Sequence, residues 1–407
     1  MELILTRLLA LFVIACVVAI ITRRFHLPYT VGLVLTGGAL AIFGVSGGFE
    51  LTHDLIFLVI LPPLLFEAAL GISWQEFRRD AVPILVLSTL GVVLSAAIVA
   101  FGMTKLLGWP LPAAAIFGTL IAATDPVAVI ATFKDNRVNG RVRLLVESES
   151  LLNDGVAALL FGLVLAWAEG TSVAPDQALI DLGVTVGGGL LIGFATAIAV
   201  LTIAGRTADH FVETVLTTVA AYGSFLIAQQ LHVSGILATI SAGLVLGRAE
   251  LLDVSKYKFF NSNVLTKSGQ EFLESFWEFI AFLANSLIFL MIGLAVAGTN
   301  FDETAMSSVS VASLLVLVAR ALSVYGLCLP FTGTRWHIPL REQHVLWWGG
   351  LRGALALALV LALPKTLAYH REITIATFGV VAVSVIVQGL TMPALLKALG
   401  LLPNPKP

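Results

Sequence analysis

Two carboxylates lie inside long apolar stretches of the chain. Asp125 falls near the middle of the apolar run 111–133, and Asp154 falls in the next run, 144–168. A charged side chain at the centre of a membrane helix costs at least about 2.5–3.5 kcal/mol, so each needs a partner, a cavity or a function. Both carboxylates are therefore candidate functional groups.

Hydroxyl side chains accompany both carboxylates. Ser150 precedes Asp154 by four residues and shares its helix face, and Thr124 directly precedes Asp125. Carboxylate and hydroxyl oxygens are hard ligands, the type that suits a hard cation such as Na⁺. The residues therefore predict a monovalent cation site, but the same oxygens also bind K⁺ and leave that choice open.

Three further charges occupy apolar runs. Glu149 lies about 140° from Asp154 around a helix, so the two have different roles and Glu149 can meet an arginine of another helix. Arg320 and Arg352 are the basic residues that fall away from connections and run ends. Arg352 is flanked by Gly350 and Gly353, and this place inside a glycine-rich helix break favours a role in holding that same break.

The composition of the chain indicates the environment around these charged groups. The 407 residues are 58% hydrophobic and 12% charged, with a mean hydropathy of +0.99, whereas soluble domains carry about 25% charged residues. The chain is therefore expected to be an integral membrane protein whose partner is the lipid bilayer, with no nucleic acid. Disordered chains, collagen-like fibres and disulfide scaffolds are excluded by the same figures.

Thirteen apolar runs divide the chain and predict an all-α polytopic membrane protein of about 13 transmembrane helices. The runs are Leu3–Ile21, Pro28–Phe43, Leu55–Leu70, Ala81–Leu107, Leu111–Phe133, Leu144–Ala168, Leu182–Ile203, Phe211–Leu231, Val233–Gly247, Phe272–Gly298, Met306–Phe331, Val345–Leu363 and Ile373–Leu399. With alternating sides, 17 of the 23 Lys and Arg residues fall on one side and four on the other. This bias predicts an outside amino terminus and a cytoplasmic carboxyl terminus.

Two runs contain residues that break a helix at mid-membrane depth. These are Ala123–Pro126 in the fifth run and Gly349–Gly353 in the twelfth. Secondary transporters place interrupted helices at equivalent positions of two inverted repeats. We therefore predict repeats formed by runs 1–6 and 8–13, with run 7 as the link and with broken helices 5 and 12.

Several motifs together resemble the monovalent cation/proton antiporters of the NhaP type and the sodium/proton exchangers. They are Thr124–Pro126, Glu149–Gly155, Arg320, Gly350–Ala354 and, in the third run, Leu61–Glu67. Their order along about 300 residues makes the resemblance specific. It implies a homodimer in the plasma membrane that exchanges Na⁺ or Li⁺ for H⁺ and serves pH homeostasis.

The resemblance also assigns roles. It implies that Asp154 binds Na⁺ or a proton in alternation, assisted by Asp125, Ser150 and Thr124, and Asn153 is counted among the residues of this site. It implies that Glu149 pairs with Arg320. Asn153, in front of the key aspartate, is the residue of electroneutral members of the family, so 1:1 exchange is expected. Dimerisation-type helices are expected at about 1–70 and 208–300, core-type helices at about 81–168 and 306–399, and a linker helix at about 182–205.

Other functions have weaker support. A K⁺/H⁺ antiporter remains an alternative, and a cation channel needs a continuous pore, whereas these charges cluster at broken helices. An intramembrane enzyme is not expected, since His-Glu-x-x-His is absent and the Gly-x-Ser-x-Gly match at Gly44–Gly48 lacks a strand-turn-helix context. No cofactor is expected beyond the transported ions.

Overall fold

A computed structural model describes residues 2–25, 27–44, 51–136, 138–170, 175–207, 209–247, 267–299 and 302–402. Most of the Gly44–Gly48 match lies outside these residues. The described part is almost entirely helical, which confirms the predicted all-α class. Its helices are α1 Glu2–Arg24, α2 Tyr29–Ile42, α3 Leu61–Leu70, α4 Trp74–Leu107, α5 Leu111–Leu120, α6 Val127–Asp135, α7 Arg141–Ala168, α8 Pro175–Ala204, α9 His210–Gln230, α10 Gly235–Leu246, α11 Lys267–Ala297, α12 Glu303–Cys328, α13 Leu340–Trp348, α14 Ala354–Leu361, α15 His370–Val383 and α16 Gly389–Ala398.

Each predicted apolar run coincides with one helix or with one interrupted helix. Two π-helical turns, Leu55–Ile60 before α3 and Ser384–Gln388 between α15 and α16, complete the third and thirteenth runs. Seven helices of the described part are long and apolar enough to cross a membrane, and four shorter apolar helices accompany them. The number of crossings and the inverted repeats stay predictions.

The fifth and twelfth runs are interrupted, as predicted. α5 ends at Leu120 and α6 begins at Val127, because Pro126 lacks a backbone N–H and disfavours the α conformation of the preceding residue. α13 ends at Trp348 and α14 begins at Ala354, after three glycines in the sequence 349–353. Glycine is a poor helix former, so this stretch gives up helical hydrogen bonds more readily than its apolar neighbours.

The chain forms two compact units. One comprises residues 58–79 and 172–284, and the other comprises residues 1–57, 80–171 and 285–407. The predicted division into dimerisation and core helices concerns association and movement, so it stays a prediction. Both interrupted runs belong to the second of these units.

The smaller unit is built around aromatic and small residues. Phe66 and Trp277 are buried with their ring centroids 4.5 Å apart, and Trp277 Nε1 donates a hydrogen bond of 3.0 Å to Thr217 Oγ1. At Gly243 an added Cβ would overlap the backbone of α3. α3 and α10 are therefore packed too closely for a larger residue at this position.

In the larger unit, an ion pair between the partly exposed Arg141 and the buried Asp80 marks an irregularity of α4. Asp80 has non-helical backbone angles inside this helix, and its Oδ1 accepts hydrogen bonds from Arg141 Nη2 at 2.8 Å and Nε at 3.1 Å. Arg141 Nη1 also donates to the carbonyl of His337 at 2.6 Å. Arg141, the first residue of α7, therefore ties the irregular turn of α4 to the segment that leads into α13.

Candidate ion-binding site

The site is organised by the crossing of the two interrupted helices. The backbone N–H of Asp125 donates to the carbonyl of Leu351 at 2.7 Å, and the two residues form an isolated antiparallel bridge. Four helix ends converge there: the carboxyl ends of α5 and α13 and the amino ends of α6 and α14. Each end exposes backbone groups that have no partner within their own helix.

The carboxylate of Asp125 interacts with the amino ends of α6 and α14. Its Oδ1 accepts a hydrogen bond of 2.9 Å from the backbone N–H of Val127, the first residue of α6. The backbone N–H of Ala354, the first residue of α14, also interacts with this carboxylate. A carboxylate is favoured at helix amino ends because it satisfies free N–H groups and opposes the positive end of the dipole. Capping of these helix ends is thus part of the role of Asp125.

Two arginines donate hydrogen bonds to carbonyls at the carboxyl ends of α5 and α13. Arg352 Nη1 donates to the carbonyls of Ala122 and Ala123 at 2.8 and 3.0 Å, just beyond the end of α5. Arg320 donates from Nε and Nη2 to the carbonyl of Leu346 near the end of α13, at 3.3 and 3.1 Å. Cations are stabilised at the negative end of a helix dipole. Arg352 thus lies in one break while its side chain binds the carbonyls of the other, a different arrangement from the predicted support of its own break.

Arg320 also forms the ion pair expected with Glu149. Nη1 and Nη2 donate to Oε1 and Oε2 at 2.8 and 2.7 Å, a bidentate arrangement. The side chains are only 6% and 2% exposed. Because both oxygens of Glu149 face the guanidinium, this carboxylate is neutralised and is directed away from a role as a free cation ligand.

Asn153 links this ion pair to the break after α5. Its Nδ2 donates to Glu149 Oε1 at 3.1 Å and to Thr124 Oγ1 at 2.6 Å, while its Oδ1 accepts from the backbone N–H of Thr124 at 3.2 Å. Ser150 Oγ lies 3.1 Å from Thr124 Oγ1 and donates to the Thr124 carbonyl. The structure thus brings Thr124, Ser150 and Asn153 together, with the amide of Asn153 committed to holding Thr124.

Asp154 stands apart from this network. Its side chain is partly exposed, and among the described residues no hydrogen bond reaches its carboxylate. Asp125 and Glu149 are the charged groups that act on it by Coulombic interaction. Since Glu149 is paired with Arg320, Asp154 and Asp125 remain as the two carboxylates with oxygens able to accept a cation or a proton.

Gly353 is required by the carboxylate of Asp125. A Cβ at this position would overlap Oδ2 and the rest of the Asp125 carboxyl group, whereas nothing lies within 4 Å of the corresponding position at Gly162 in α7. At Gly350, a Cβ would lie 2.8 Å from Arg320 Nε. Both glycines therefore make room for charged groups.

We expect Gly353→Ala to lose most transport activity while Gly162→Ala, a control inside α7 where an added Cβ meets nothing within 4 Å, keeps it. The added methyl must push the Asp125 carboxylate away from the amino ends of α6 and α14. Initial rates of ion-driven proton movement in proteoliposomes with equal amounts of each variant test this. Equal rates for Gly353→Ala and the wild type would contradict the prediction.

Two residues at the site were not singled out from sequence. Ser384 Oγ accepts from the backbone N–H of Arg352 at 2.9 Å, and Gln388 Nε2 donates to the carbonyl of Trp348 at 2.8 Å. The available signal was two polar side chains four residues apart in the predominantly apolar run 373–399. Neutral polar residues are common enough in membrane helices that this spacing alone is weak.

Comparison with known proteins finds relatives over nearly the whole chain. The model of the transmembrane sodium/hydrogen exchanger family matches residues 10–398. The chain is 38% identical over 386 residues to the Na(+)/H(+) antiporter ApNhaP of Aphanothece halophytica, covering 93% of this chain and 70% of that relative. It is 31% identical over 419 residues to the Na(+)/H(+) antiporter NhaH of Halobacillus dabanensis, covering 97% and 98% of the two chains.

The fold has a solved counterpart. The sodium proton antiporter MjNhaP1 of Methanocaldococcus jannaschii, determined at pH 8, superposes with a TM-score of 0.75 at 22% identity, covering 98% of this chain and 99% of that one. At this identity the likeness concerns the fold. The family match covers all the motifs from Leu61 to Ala354, and the chain, a multi-pass membrane protein, belongs to the sodium/hydrogen exchanger family.

Proposed function

We propose that the chain is a secondary active Na⁺/H⁺ antiporter in which the cation and the proton compete for Asp154. The observation that carries this proposal is the Asp154 carboxylate, which accepts no hydrogen bond from the described residues and interacts electrostatically with a second carboxylate, Asp125. The names of the relatives, Na(+)/H(+) antiporters, support the same substrates.

Exchange follows from competition at this site. Thr124 and Ser150 bring hydroxyl oxygens next to the break that carries Asp125, so Na⁺ would find carboxylate and hydroxyl ligands together. A bound Na⁺ or proton reduces the negative charge of Asp154 and Asp125, and the loaded site can then be carried across the membrane at lower cost than the empty one. One direction of cation flux thereby drives protons the other way, without a chemical reaction or a resident cofactor.

The proposed stoichiometry is one Na⁺ for one H⁺. Asn153 supports it, because this position holds a neutral amide whose donors and acceptor are engaged by Thr124 and Glu149. A carboxylate there would add a titratable charge next to Asp154. An exchange rate that follows an imposed membrane potential would contradict an electroneutral cycle.

The experiment is proton movement in proteoliposomes followed with a pH-sensitive dye. We expect addition of Na⁺ or Li⁺ to collapse a preformed pH gradient, with a rate that saturates in cation concentration. A response to K⁺ alone would replace the substrate with K⁺ and overturn the Na⁺ assignment. A current that does not saturate and needs no proton gradient would indicate a channel and overturn antiport.

We further propose a homodimer in the plasma membrane, with the amino terminus outside and the carboxyl terminus in the cytoplasm. The bias of Lys and Arg toward one set of connections supports this orientation. Protease accessibility of tags at the two termini in sealed cells tests it, and the mass of the purified protein in detergent tests the dimer. A tag at the carboxyl terminus that is cleaved from outside would overturn the orientation.

A further inference from the structure

The thirteenth run changes its helical geometry at the level of the break between α13 and α14. Ser384–Gln388 is π-helical, between α15 and α16. Single π-helical turns are rare and frequently lie at functional sites. Its first and last residues, Ser384 and Gln388, are both buried and are the two that reach the break.

Ser384 and Gln388 satisfy backbone groups on both sides of the break. Gln388 Nε2 donates to the carbonyl of Trp348, the last residue of α13, at 2.8 Å. Ser384 Oγ accepts from the backbone N–H of Arg352 at 2.9 Å. These two backbone groups lie where the helical hydrogen bonds are interrupted, so loss of the two side chains would remove a hydrogen-bond partner from each of them. The stretch 349–351 is thus held at its two ends by one turn of the thirteenth run.

This held stretch reaches the ion site directly. The carbonyl of Leu351 accepts from the backbone N–H of Asp125, and the side chain of Arg352 donates to the carbonyls of Ala122 and Ala123. The backbone just before and at Asp125 is therefore positioned by a stretch that Ser384 and Gln388 hold in place.

We propose that Ser384 and Gln388 are positioning residues for cation binding, which set the place of Thr124 and Asp125 through residues 349–352. This inference rests on the proposed antiport function and adds to it a second layer of residues that determines the affinity for the cation. Neither side chain contacts the ion itself. Their loss allows the stretch 349–352 to shift and loosens the cation ligands.

Two substitutions at Ser384 separate the effect of losing the hydroxyl group from the effect of changing the side-chain volume. Thr and Val have nearly the same shape, so Ser384→Thr keeps the acceptor for Arg352 and Ser384→Val removes it. We expect Ser384→Val to raise the KM for Na⁺ about fivefold, the order expected for one neutral hydrogen bond, and to keep most of the maximal rate. Ser384→Thr should restore a KM close to that of the wild type.

Gln388→Leu should raise the KM in the same way, because it removes the donor to Trp348. Gln343→Leu is its control. Gln343 is also buried and its Nε2 donates to a carbonyl, that of Ile338 at 2.7 Å, but this bond lies at the start of α13, away from the break. A merely structural effect would lower thermal stability in both variants, whereas a positioning effect raises the KM in Gln388→Leu alone.

Kinetics of Na⁺-driven proton movement in proteoliposomes, measured over a range of Na⁺ concentrations, give the KM and the maximal rate of each variant. If the wild type exchanges and Ser384→Val and Gln388→Leu keep its KM, the inference is overturned and the antiport function stands. If the wild type itself moves no protons in response to Na⁺, the proposed function fails first. Thermal unfolding in detergent verifies that each variant is folded.

Discussion

Asp154→Asn should reduce Na⁺-driven proton movement to the level of protein-free liposomes. The amide has the shape of the carboxylate but neither titrates nor carries the charge that a cation neutralises. Since no described residue donates a hydrogen bond to Asp154, the substitution removes no hydrogen bond between this carboxylate and the described part of the chain. The loss should therefore be one of transport, without loss of the fold.

The thermal stability of Asp154→Asn distinguishes a loss of transport from a loss of the fold. Asp125 acts on Asp154 as a like charge, and removing one of the two charges relieves repulsion. We expect the thermal unfolding temperature of Asp154→Asn in detergent to equal or exceed that of the wild type. A variant that transports nothing because it unfolds would show a lower temperature and would not support the assigned role.

Glu303→Gln is the control for charge removal. Glu303 is an exposed acid in the first turn of α12, so its neutralisation should leave the exchange rate unchanged. Full exchange by Asp154→Asn would contradict the assignment of the transport site. Loss of exchange in both Asp154→Asn and Glu303→Gln would show that the assay responds to net charge. That result would also contradict the assignment of Asp154 to the transport site.

Much of the fold follows from sequence because membrane helices are specified by length and hydrophobicity. Every predicted run coincides with a helix, and Pro126 and the glycines from Gly349 to Gly353 place both interruptions. A residue such as Asp125 stands out because a charge inside a bilayer is costly. The same reasoning finds Arg320, which must have a partner.

The arrangement across the two breaks could not be obtained in this way. The side chain of Arg352 supports the break after α5 and not its own. Its carbonyl partners lie about 230 positions away in sequence, so the sequence alone does not identify them. Asn153 contains both donors and an acceptor, so sequence does not say whether it binds a cation or, as observed, holds Thr124. Gln388 carries no charge and gave no reason to expect a partner at Trp348.

Breaking the ion pair between Arg320 and Glu149 should have the largest effect on stability. Removing one partner of a buried pair leaves an uncompensated charge and costs about 3–5 kcal/mol. We expect Arg320→Met and Glu149→Gln each to lower the unfolding temperature strongly. Arg320→Lys keeps the charge but loses the bidentate geometry, so its unfolding temperature should lie between those of Arg320→Met and the wild type.

The double variant Glu149→Gln with Arg320→Met tests the origin of this effect. It contains no unpaired charge, so it should be less destabilised than the sum of the two single variants, a coupling that a double-mutant cycle measures. The exposed pair of Arg371 and Asp302, 3.9 Å apart, is the control, and Arg371→Met should cost about 0–1 kcal/mol. Additive effects of the two buried substitutions would contradict a direct charge pairing.

The two predictions together distinguish the carboxylates of α7. Glu149 and Asp154 are five residues apart on one helix, yet neutralising Glu149 should lower stability and neutralising Asp154 should not. The reason lies in their partners, since both oxygens of Glu149 are bound by Arg320 while Asp154 accepts no hydrogen bond from the described residues. Unfolding and transport measured on the same purified variants therefore assign one carboxylate to the scaffold and the other to the transported ions.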